Sequence, residues 1–469
     1  MKKFSSFEDM NRELGFENRA GFSLEPRQVE GVNYLSTFPR VGNFSDVGCG
    51  KTVMSTALSL VKGVDTTLVT VPPILIPQWV SWLQKFSPNV IRYQGTPTYR
   101  ARLDLNGARW VVMSHAIFRQ DYERFRREVA SIHTEVIVDE AQALKNSGSV
   151  LFKYVNRLAA TSDIQLLTGT PTTKPTDAYS YIKLKTPTLF RSYGHFENTY
   201  VVEKDFFKQP IKYGNLDHLA ECLALQTVKY TKEEVFGYNL APIFTPIPYD
   251  LDKGHKALYD KLVEEQLLLL DNGAKIDAST PVRLYHALQQ IVCNWDHFAG
   301  EPQRSAAYDI VDEVVEDTNC LDPKRSKLII WTYYKMTSRN VLRYCNERWP
   351  GTTVAAYSEV NSDKSIEAFM TDPACRILVA QPSSAGMGLN PAHLCSEVLF
   401  LEASTSPMQI RQAIGRVDRK GQTTRPTIRF AEAIGTIQKT LYGRLASNDD
   451  LVIRVENLKD SLRDALFGR

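Results

Sequence analysis

The sequence contains no apolar stretch that approaches the roughly 20 residues needed to cross a bilayer. Its 7 cysteines form no C-x-x-C pair and its 8 histidines show no H-E-x-x-H spacing, so neither a disulfide framework nor a zinc site is expected. Polar and acidic residues, rather than an apolar run, follow Met1–Phe4, which argues against a secretory signal. These absences predict a cytoplasmic protein, or a nuclear one in a eukaryote, that does not contact a membrane.

The sequence also lacks a strong charge of either sign. Lys and Arg number 56 against 53 Asp and Glu, which leaves a net charge of +3. Composition therefore neither requires nor excludes a nucleic-acid partner, and any phosphate-binding surface has to be a local patch. Hydrophobic residues at 43% and charged residues at 23% are typical of a folded protein, and 469 residues suggest two or three domains.

Short apolar runs recur in both halves of the chain and show no polar alternation. This pattern is expected of parallel strands that are covered on both faces. The runs are residues 67–71, 110–113, 135–138 and 164–167 in the first half, and 327–331, 353–355, 376–380 and 397–401 in the second. Since the intervening segments are long enough for helices, we predict an α/β fold with two parallel-sheet domains and a mostly helical insertion between them.

The expected boundaries follow from where this pattern changes. We predict an N-terminal extension over residues 1–20, a first domain over 21–185, a helical insertion over 186–300 and a second domain over 301–469 that ends in a helix. Within the insertion, residues 241–248 read as an extended segment punctuated by proline.

Residues 45–52, with the sequence SDVGCGKT, have the features of a phosphate-binding loop. Small residues allow backbone N–H groups to curl around phosphates, a lysine reaches the β and γ oxygens, and a hydroxyl ligates Mg²⁺. Here Gly48, Cys49, Gly50, Lys51 and Thr52 are the expected nucleotide-binding residues, with Thr52 on the metal. Serine replaces the first glycine of the usual pattern, and a plain glycine turn before a helix is the alternative interpretation.

Two acidic residues, Asp139 and Glu140, follow the apolar run 135–138. A carboxylate at the end of a parallel strand points into the ligand crevice. We expect Asp139 to hold Mg²⁺ through water and Glu140 to orient and deprotonate an attacking water. The alternative is that both residues only cap a helix. The later segment Thr168–Pro171 would relay between the ATP site and a nucleic-acid groove.

Together these segments resemble superfamily 2 helicases, and among them the Snf2-type translocases of double-stranded DNA. Residues 24–35, LEPRQVEGVNYL, match the opening segment of that family. The resemblance implies two RecA-like domains that hydrolyse ATP at the cleft between them, with Arg27 and Gln28 at the nucleotide and Gln28 on the adenine edge. Ala141-Gln142 departs from the commoner Ala-His or Gly-His, which leaves the coupling of hydrolysis to movement in question.

Two segments of the second half resemble the later motifs of the same family. Residues 383–390, SSAGMGLN, resemble motif V, and residues 409–422, QIRQAIGRVDRKGQ, resemble motif VI with its Gly-Gln ending. The resemblance implies nucleotide contacts from Gly388 and Gln412. Charge that accumulates on the γ-phosphoryl oxygens needs fixed guanidinium groups, so Arg416 and Arg419, on one face of a predicted helix, are the expected arginine fingers. A solvated basic helix is the alternative.

The resemblance also suggests contacts to the DNA backbone, which carry no base information. The candidates in the two domains are Pro73, Gln78, Trp79, Ser114, Thr170, Thr332, Lys335, Ser383 and Ser384. Core packing is an equal alternative for Trp79. We expect a monomer acting on duplex or branched DNA, with RNA as a further candidate partner.

The function expected from the sequence is an ATP- and Mg²⁺-dependent translocase that moves along duplex DNA and remodels branched DNA or bound protein. A strand-separating helicase of DNA or RNA is a second hypothesis. No aromatic hairpin that would part strands is evident, although residues 186–280 leave room for one. An inactive nucleic-acid-binding scaffold is a third hypothesis, against which the intact ATP-site residues argue.

Overall fold

The chain folds into two compact units, Met1–Asn239 and Leu240–Arg469. The computed structural model describes residues 7–128, 132–169, 171–172, 174–237, 240–265, 267–269, 275–277, 281–298, 304–385, 389, 391–402, 407–419 and 421–438. Within those ranges no helix is long and apolar enough to span a membrane. All seven cysteines are buried, and none of them forms a disulfide bond within the described residues.

Unit 1 is built on a seven-stranded parallel sheet with the order β3-β4-β2-β5-β6-β1-β9. Its strands, together with a separate antiparallel hairpin β7–β8, are β1 (Arg40–Asn43), β2 (Thr66–Val71), β3 (Val90–Arg92), β4 (Trp110–Ser114), β5 (Thr134–Asp139), β6 (Asp163–Leu167), β7 (Val201–Lys204), β8 (Pro210–Tyr213) and β9 (Thr227–Val228).

The helices of unit 1 connect and cover these strands. They are α1 (Phe7–Leu14), α2 (Phe16–Ala20), α3 (Pro26–Ser36), α4 (Lys51–Lys62), α5 (Ile76–Gln84), α6 (Pro97–Ala101), α7 (His115–Gln120), α8 (Tyr122–Glu128), α9 (Val150–Leu158), α10 (Ala178–Lys185), α11 (Tyr193–Tyr200), α12 (Leu216–Ala224) and α13 (Lys232–Phe236). Short 3₁₀ turns lie at Pro73–Leu75, Ala141–Leu144 and Pro175–Asp177.

Both faces of this sheet are covered, which explains the unbroken apolar runs. Successive side chains of a strand point to opposite faces. On β2, Leu68 packs into one buried cluster with Val111 and Val136, while its neighbour Val69 packs into the other with Val112. Since each such side chain contributes roughly 1.5–3 kcal/mol when buried, both faces contribute to the stability of the sheet.

Unit 2 contains a six-stranded parallel sheet with the order β10-β17-β16-β13-β15-β14. The strands of this unit, including the small antiparallel pair β11–β12, are β10 (Ile243–Tyr249), β11 (Leu267–Leu269), β12 (Lys275–Asp277), β13 (Lys327–Trp331), β14 (Thr353–Ala356), β15 (Ile377–Ala380), β16 (Cys395–Phe400) and β17 (Thr427–Ala433). Its helices are α14 (Lys253–Glu265), α15 (Pro281–Cys293), α16 (Trp295–Phe298), α17 (Ala307–Thr318), α18 (Lys335–Arg348), α19 (Ser362–Thr371) and α20 (Pro407–Ile414).

The two parallel sheets confirm the predicted fold class, and all eight predicted strands are present with ends shifted by at most two residues. The segment 186–300 is divided between the units rather than forming one helical body. Residues at its middle explain this division, because Thr227–Val228 pair with β1 and Ile243–Tyr249 pair with β17. The proline-punctuated segment is thus an edge strand, a position that tolerates proline. The predicted C-terminal helix lies outside the described residues beyond 438.

Candidate functional site

The loop between β1 and α4 has the backbone conformation of a tight phosphate-binding turn. Gly48 and Gly50 have φ angles of 91° and 79°, the left-handed region that glycine enters without strain. A Cβ atom on Gly50 would come within 2.5 Å of Gln28 Nε2. The backbone angle therefore favours glycine here, and a larger residue would have to displace the Gln28 amide; Lys51 begins α4 directly after Gly50.

Serine at position 45 is explained by a contact between segments distant in sequence. Ser45 is fully buried, and its hydroxyl accepts a hydrogen bond from Tyr230 N at 3.1 Å. Tyr230 O in turn accepts from Asp46 N at 3.0 Å. The stretch after β9 thus continues the sheet edge and holds the start of the loop, a role that a glycine at position 45 could not fill. Sequence reasoning missed Tyr230, since no local signal marks it.

Lys51 turns its ammonium group back onto this loop. Its Nζ donates to the carbonyl oxygens of Ser45 at 2.7 Å and Asp46 at 2.9 Å. Burial lowers the pKa of Lys51, while the nearby Glu140 and Asp139 oppose that shift. The structure therefore places a cation at the loop, close to the two carboxylates with which the sequence associated it.

Gln28, expected at the adenine edge, is buried behind the same loop. Its Nε2 donates to Cys49 O at 3.0 Å, and its Oε1 accepts from Glu25 N at 2.9 Å. Both ends of the amide therefore have partners within the chain. Arg27 beside it is exposed and pairs with Glu30 at 2.6 Å. Nucleotide contacts by Arg27 and Gln28 stay predictions.

Asp139 is a buried carboxylate whose two oxygens both accept hydrogen bonds. Trp79 Nε1 donates to Oδ2 at 2.8 Å, and Glu140 N donates to Oδ1 at 3.0 Å. Burial, with Glu140 beside it, raises the pKa of Asp139 to about 6. Trp79 is only 2% exposed. This burial contradicts the predicted contact of the Trp79 ring with DNA and favours the alternative of core packing, here beside the Asp139 carboxylate.

Glu140 is linked to β6 through Gln142. Gln142 Nε2 donates to Glu140 Oε2 at 2.8 Å, and its Oε1 accepts from the Thr168 hydroxyl at 2.8 Å. Glu140 itself has a φ of 52°, which turns the chain sharply after β5. A Cβ on Gly169 would lie 3.2 Å from Val47 Cγ2 and 3.5 Å from Lys51 Nζ. The segment expected to act as a relay is therefore linked to Glu140 through Gln142 and lies next to the phosphate-binding loop.

These residues suit a magnesium ion. Carboxylate and hydroxyl oxygens are ligands that Mg²⁺ accepts, and Asp139 and Thr52 supply one of each. The buried Asp139 also has a raised pKa, so a nearby cation would stabilise its ionised form. Over the described residues no cluster of three or more His, Cys, Asp or Glu is present that could hold a metal ion.

The two arginines of unit 2 lie beyond a helix and not on one. Helix α20 ends at Ile414, and tighter turns follow, with Arg416 N bonded to Ala413 O at 3.2 Å and Arg419 N to Val417 O at 3.2 Å. The predicted shared helical face is therefore wrong, because Gly415 disfavours continuation of the helix. Burial lowers the pKa of Arg419 below its ordinary value.

Gln422, which ends the motif VI segment, fixes the loop that carries these arginines. It is 6% exposed, and its Nε2 donates to Val417 O and Cys395 O, both at 3.0 Å. Its Oε1 accepts from the backbone N–H groups of Thr423 and Thr424. Gln412 is described and partly buried, whereas Gly388 lies outside the described residues.

The predicted DNA-backbone contacts separate into exposed and buried sets. Pro73, Gln78, Lys335 and Ser383 are exposed and Ser384 is partly exposed, so these remain predictions. Thr332 is fully buried, with its hydroxyl 2.8 Å from that of Ser338, and its predicted contact is wrong for that reason. Ser114 is 5% exposed and caps α7 by accepting from Ile117 N at 3.2 Å. Thr170 lies outside the described residues.

A buried carboxylate organises the loop after β13. Glu402 Oε2 accepts from the backbone N–H groups of Tyr333 at 2.9 Å and Tyr334 at 3.1 Å. Its Oε1 accepts from the Thr337 hydroxyl at 2.6 Å. A negative charge at the start of α18 is favourable to the helix dipole, but burial still raises the pKa of Glu402 to about 7. This interaction orients the backbone from which Lys335 projects.

Each of the two units is built on a parallel sheet, and in such sheets ligands bind at the carboxyl ends of the strands. The SNF2-related domain matches residues 28–297, more than half of the chain, and the chain therefore belongs to that family. The resemblance to Snf2-type members of superfamily 2 is thus confirmed.

The relatives of the chain are distant ones. It is 23% identical to the uncharacterized ATP-dependent helicase MG018 of Mycoplasma genitalium, over 96% of this chain and 43% of that protein. It is 22% identical to the uncharacterized ATP-dependent helicase YqhH of Bacillus subtilis, over 90% of this chain and 79% of that protein. The Sulfolobus solfataricus SWI2/SNF2 ATPase core in complex with dsDNA is 22% identical over 94% of this chain and 96% of that chain, with a TM-score of 0.43. The chain spans less than half the length of the first of these relatives.

We expect Trp79→Phe to raise the Mg²⁺ concentration that gives half-maximal ATP turnover by about tenfold, the usual cost of losing a hydrogen bond to a metal-holding group. The substitution removes the donor to Asp139 Oδ2 and keeps an aromatic ring in the core. Turnover should be measured against Mg²⁺ at saturating ATP.

Trp110→Phe is the matched control for this substitution. Trp110 is also fully buried, on β4, but its Nε1 has no hydrogen-bond partner among the described residues. Its replacement should leave the Mg²⁺ dependence unchanged. Equal Mg²⁺ dependence of both variants and the wild type would contradict the positioning of Asp139 by Trp79.

Glu402 should give unit 2 a pH-dependent stability. Its pKa rises from an ordinary value of 4.5 to about 7 in the fold, so its contribution is complete below pH 4.5 and is lost as the pH rises through 7. The free energy of unfolding of the wild type, relative to Glu402→Gln, should fall by on the order of 3 kcal/mol over this range. Denaturant unfolding of both proteins at several pH values measures this difference, and parallel pH profiles would contradict it.

Proposed function

We propose that this protein is a nucleic-acid-dependent ATPase that moves along duplex DNA and remodels branched DNA or displaces bound protein. One observation carries the proposal: Lys51, Asp139, Glu140 and Gly169, from three different loops, come together at the carboxyl edge of one parallel sheet. Relatives named as ATP-dependent helicases support the same class of activity.

In this proposal the residues of unit 1 bind ATP and activate water. Lys51 and the backbone N–H groups of Gly48–Gly50 bind the phosphates. Thr52 and Asp139 would hold Mg²⁺, which supplies positive charge against the phosphate oxygens when bound. Glu140 orients the attacking water and takes its proton, and Gln142 fixes the Glu140 carboxylate for that task.

Because two arginines of unit 2 would take part in the reaction, ATP hydrolysis would depend on both units of the protein. Arg416 and Arg419 are proposed to stabilise the charge that develops on the transferred phosphoryl group. The buried contacts of Gln422 hold the loop of both arginines in place. Gln412 and Gly388 remain proposed nucleotide contacts.

Contacts to the DNA backbone are proposed for the exposed candidates Pro73, Gln78, Lys335, Ser383 and Ser384. Phosphates carry no sequence information, so a motor that holds them moves along any sequence. A strand-separating helicase remains a second candidate function, because the hairpin β7–β8 exposes Phe206 and Phe207 at its tip. An inactive scaffold would leave the Lys51, Asp139 and Glu140 arrangement without a purpose.

We expect duplex or branched DNA to stimulate ATP turnover more than single-stranded DNA or RNA. Steady-state ATP hydrolysis should be measured without nucleic acid and with single-stranded DNA, duplex DNA, a four-way junction and RNA. Stimulation by single strands or RNA alone would favour the strand-separating helicase. No turnover with any of them would overturn the proposed enzyme and leave the scaffold.

Lys51→Ala should abolish ATP turnover without unfolding the protein, because Lys51 is the cation at the phosphate-binding loop. Circular dichroism should be unchanged. Lys153→Ala is the control, since Lys153 is an exposed residue of α9 in the same unit. A folded Lys51→Ala protein with normal turnover would overturn the assignment of the ATP site.

Arg419→Ala should reduce kcat by a factor of about 10³ or more while ATP binding changes little, as expected of an arginine that acts on the transition state. Arg348→Ala, on an exposed part of α18, is the control. The measurements are kcat and the Kd of ATP. Weak ATP binding with a full rate at saturation would show that Arg419 only holds the nucleotide.

A further inference from the structure

The hairpin β7–β8 places two phenylalanines in solvent. Phe206 is 94% exposed and Phe207 is 77% exposed, the highest values for large hydrophobic side chains in the described part of the chain. Burial of such side chains is normally favourable, and single exposed aromatics are common, but a pair at one hairpin tip marks a contact surface. We call residues 201–213 the aromatic hairpin.

The geometry of the turn does not explain why phenylalanine occupies positions 206 and 207. Lys208 N donates to Asp205 O at 2.9 Å, which places Phe206 and Phe207 at the two central positions of a β-turn. The Asp205 side chain also accepts a hydrogen bond from Gln209 N, at 2.7 Å. Central turn positions favour Pro, Asp, Asn or Gly, and Lys208 takes a φ of 60° where glycine would be unstrained. Phenylalanine at both positions therefore has a purpose outside the turn.

The base of the aromatic hairpin is fixed to unit 1. Strand β7 follows α11 directly, and Gly214 N donates to Tyr200 O at 2.9 Å across the base. Tyr200 is 1% exposed and packs on Phe190 and Phe196 in a buried cluster. The tip is thus carried by a rooted two-stranded element, so ordering it on a ligand costs little conformational entropy.

The tip offers flat rings beside positive charge. The two rings are nearly perpendicular, at 86° with centroids 5.5 Å apart, so they do not stack face to face on each other. The hairpin carries three lysines against two acids, namely Lys204, Lys208 and Lys212 against Glu203 and Asp205. Lys204 is paired with Glu197 at 2.7 Å, while Lys208 is exposed next to Phe207. Aromatic faces next to cations match the bases and phosphates of an unpaired nucleic-acid strand.

We propose that the aromatic hairpin binds unpaired DNA bases where a duplex opens into single strands, with Phe206 and Phe207 stacked on those bases. Inside a duplex the base faces are covered by their neighbours, so these rings can reach only an end, a fork or a branch point. The inference rests on the proposed DNA motor and deepens it, because it names the DNA structure that unit 1 recognises.

The test compares binding to forked DNA, blunt duplex of equal length, and a fork whose unpaired nucleotides next to the junction are abasic. Abasic sites remove the base faces and keep the phosphates. Wild-type protein should bind the normal fork about tenfold or more tightly than the abasic fork. The double variant Phe206→Ala/Phe207→Ala should lose this preference. Fluorescence anisotropy with labelled DNA gives the dissociation constants.

Two further variants separate ring stacking from simple hydrophobicity. Phe206→Trp/Phe207→Trp should keep the preference for the normal fork, while Phe206→Leu/Phe207→Leu should lose most of it, since leucine is apolar but has no ring. Tyr99→Ala is the control, because Tyr99 is 57% exposed on α6 of the same unit and has no part in the proposal.

The outcomes separate the inference from the proposed function. If the wild type shows DNA-stimulated ATP turnover but binds normal and abasic forks equally, the inference about the aromatic hairpin is overturned, while the proposed function as a DNA-dependent ATPase is unaffected. The same holds if the leucine variant keeps the full preference, because the preference would then not come from stacking of the phenylalanine rings on bases. If DNA stimulates no turnover at all, the proposed function fails first.

Discussion

The parallel alignment of β1, β5 and β6 is the constraint on which the candidate site depends. In register, Asn43 at the end of β1 and Asp139 at the end of β5 both pair with Leu167 at the end of β6. Three loops therefore leave the sheet at one edge. The phosphate-binding loop, the acidic pair and Thr168–Gly169 meet there because the strands run in the same direction, and any antiparallel strand among the three would separate them.

The strands and the phosphate-binding loop could be predicted from the sequence because parallel strands that are buried on both faces appear as continuous apolar runs. Every apolar run became a strand, and the glycines at 48 and 50 were identified by a chemistry that tolerates few alternatives. The contacts that refine the site were not predictable in the same way. Tyr230 holds Ser45 through its backbone N–H, and Trp79 holds Asp139 through its indole N–H, although the members of each pair lie far apart in sequence. Neither residue type nor spacing marks such a contact before the fold is known.

Other differences from expectation have local physical causes. Residues 241–248 were expected to be an extended segment inside a mostly helical insertion, whereas Ile243–Tyr249 form a strand of the second sheet; its two prolines are tolerated because an edge strand needs hydrogen bonds on one side only. The i, i+3 spacing of Arg416 and Arg419 suggested a helix, but helix α20 ends before Gly415. The aromatic hairpin was hidden because its turn uses phenylalanine in place of the usual turn residues, so the signal by which a hairpin is normally found is absent.

Gln142 shows how a departure from the common family pattern can preserve a physical role. The bridge between Glu140 and Thr168 needs one donor toward the carboxylate and one acceptor toward the hydroxyl. A side-chain amide supplies both at once at any physiological pH. A histidine supplies them only as one neutral tautomer and becomes a double donor when protonated, which would break the acceptor half of the bridge. The part of Gln142 in the connection from Glu140 to β6 is therefore independent of pH, because the amide does not titrate.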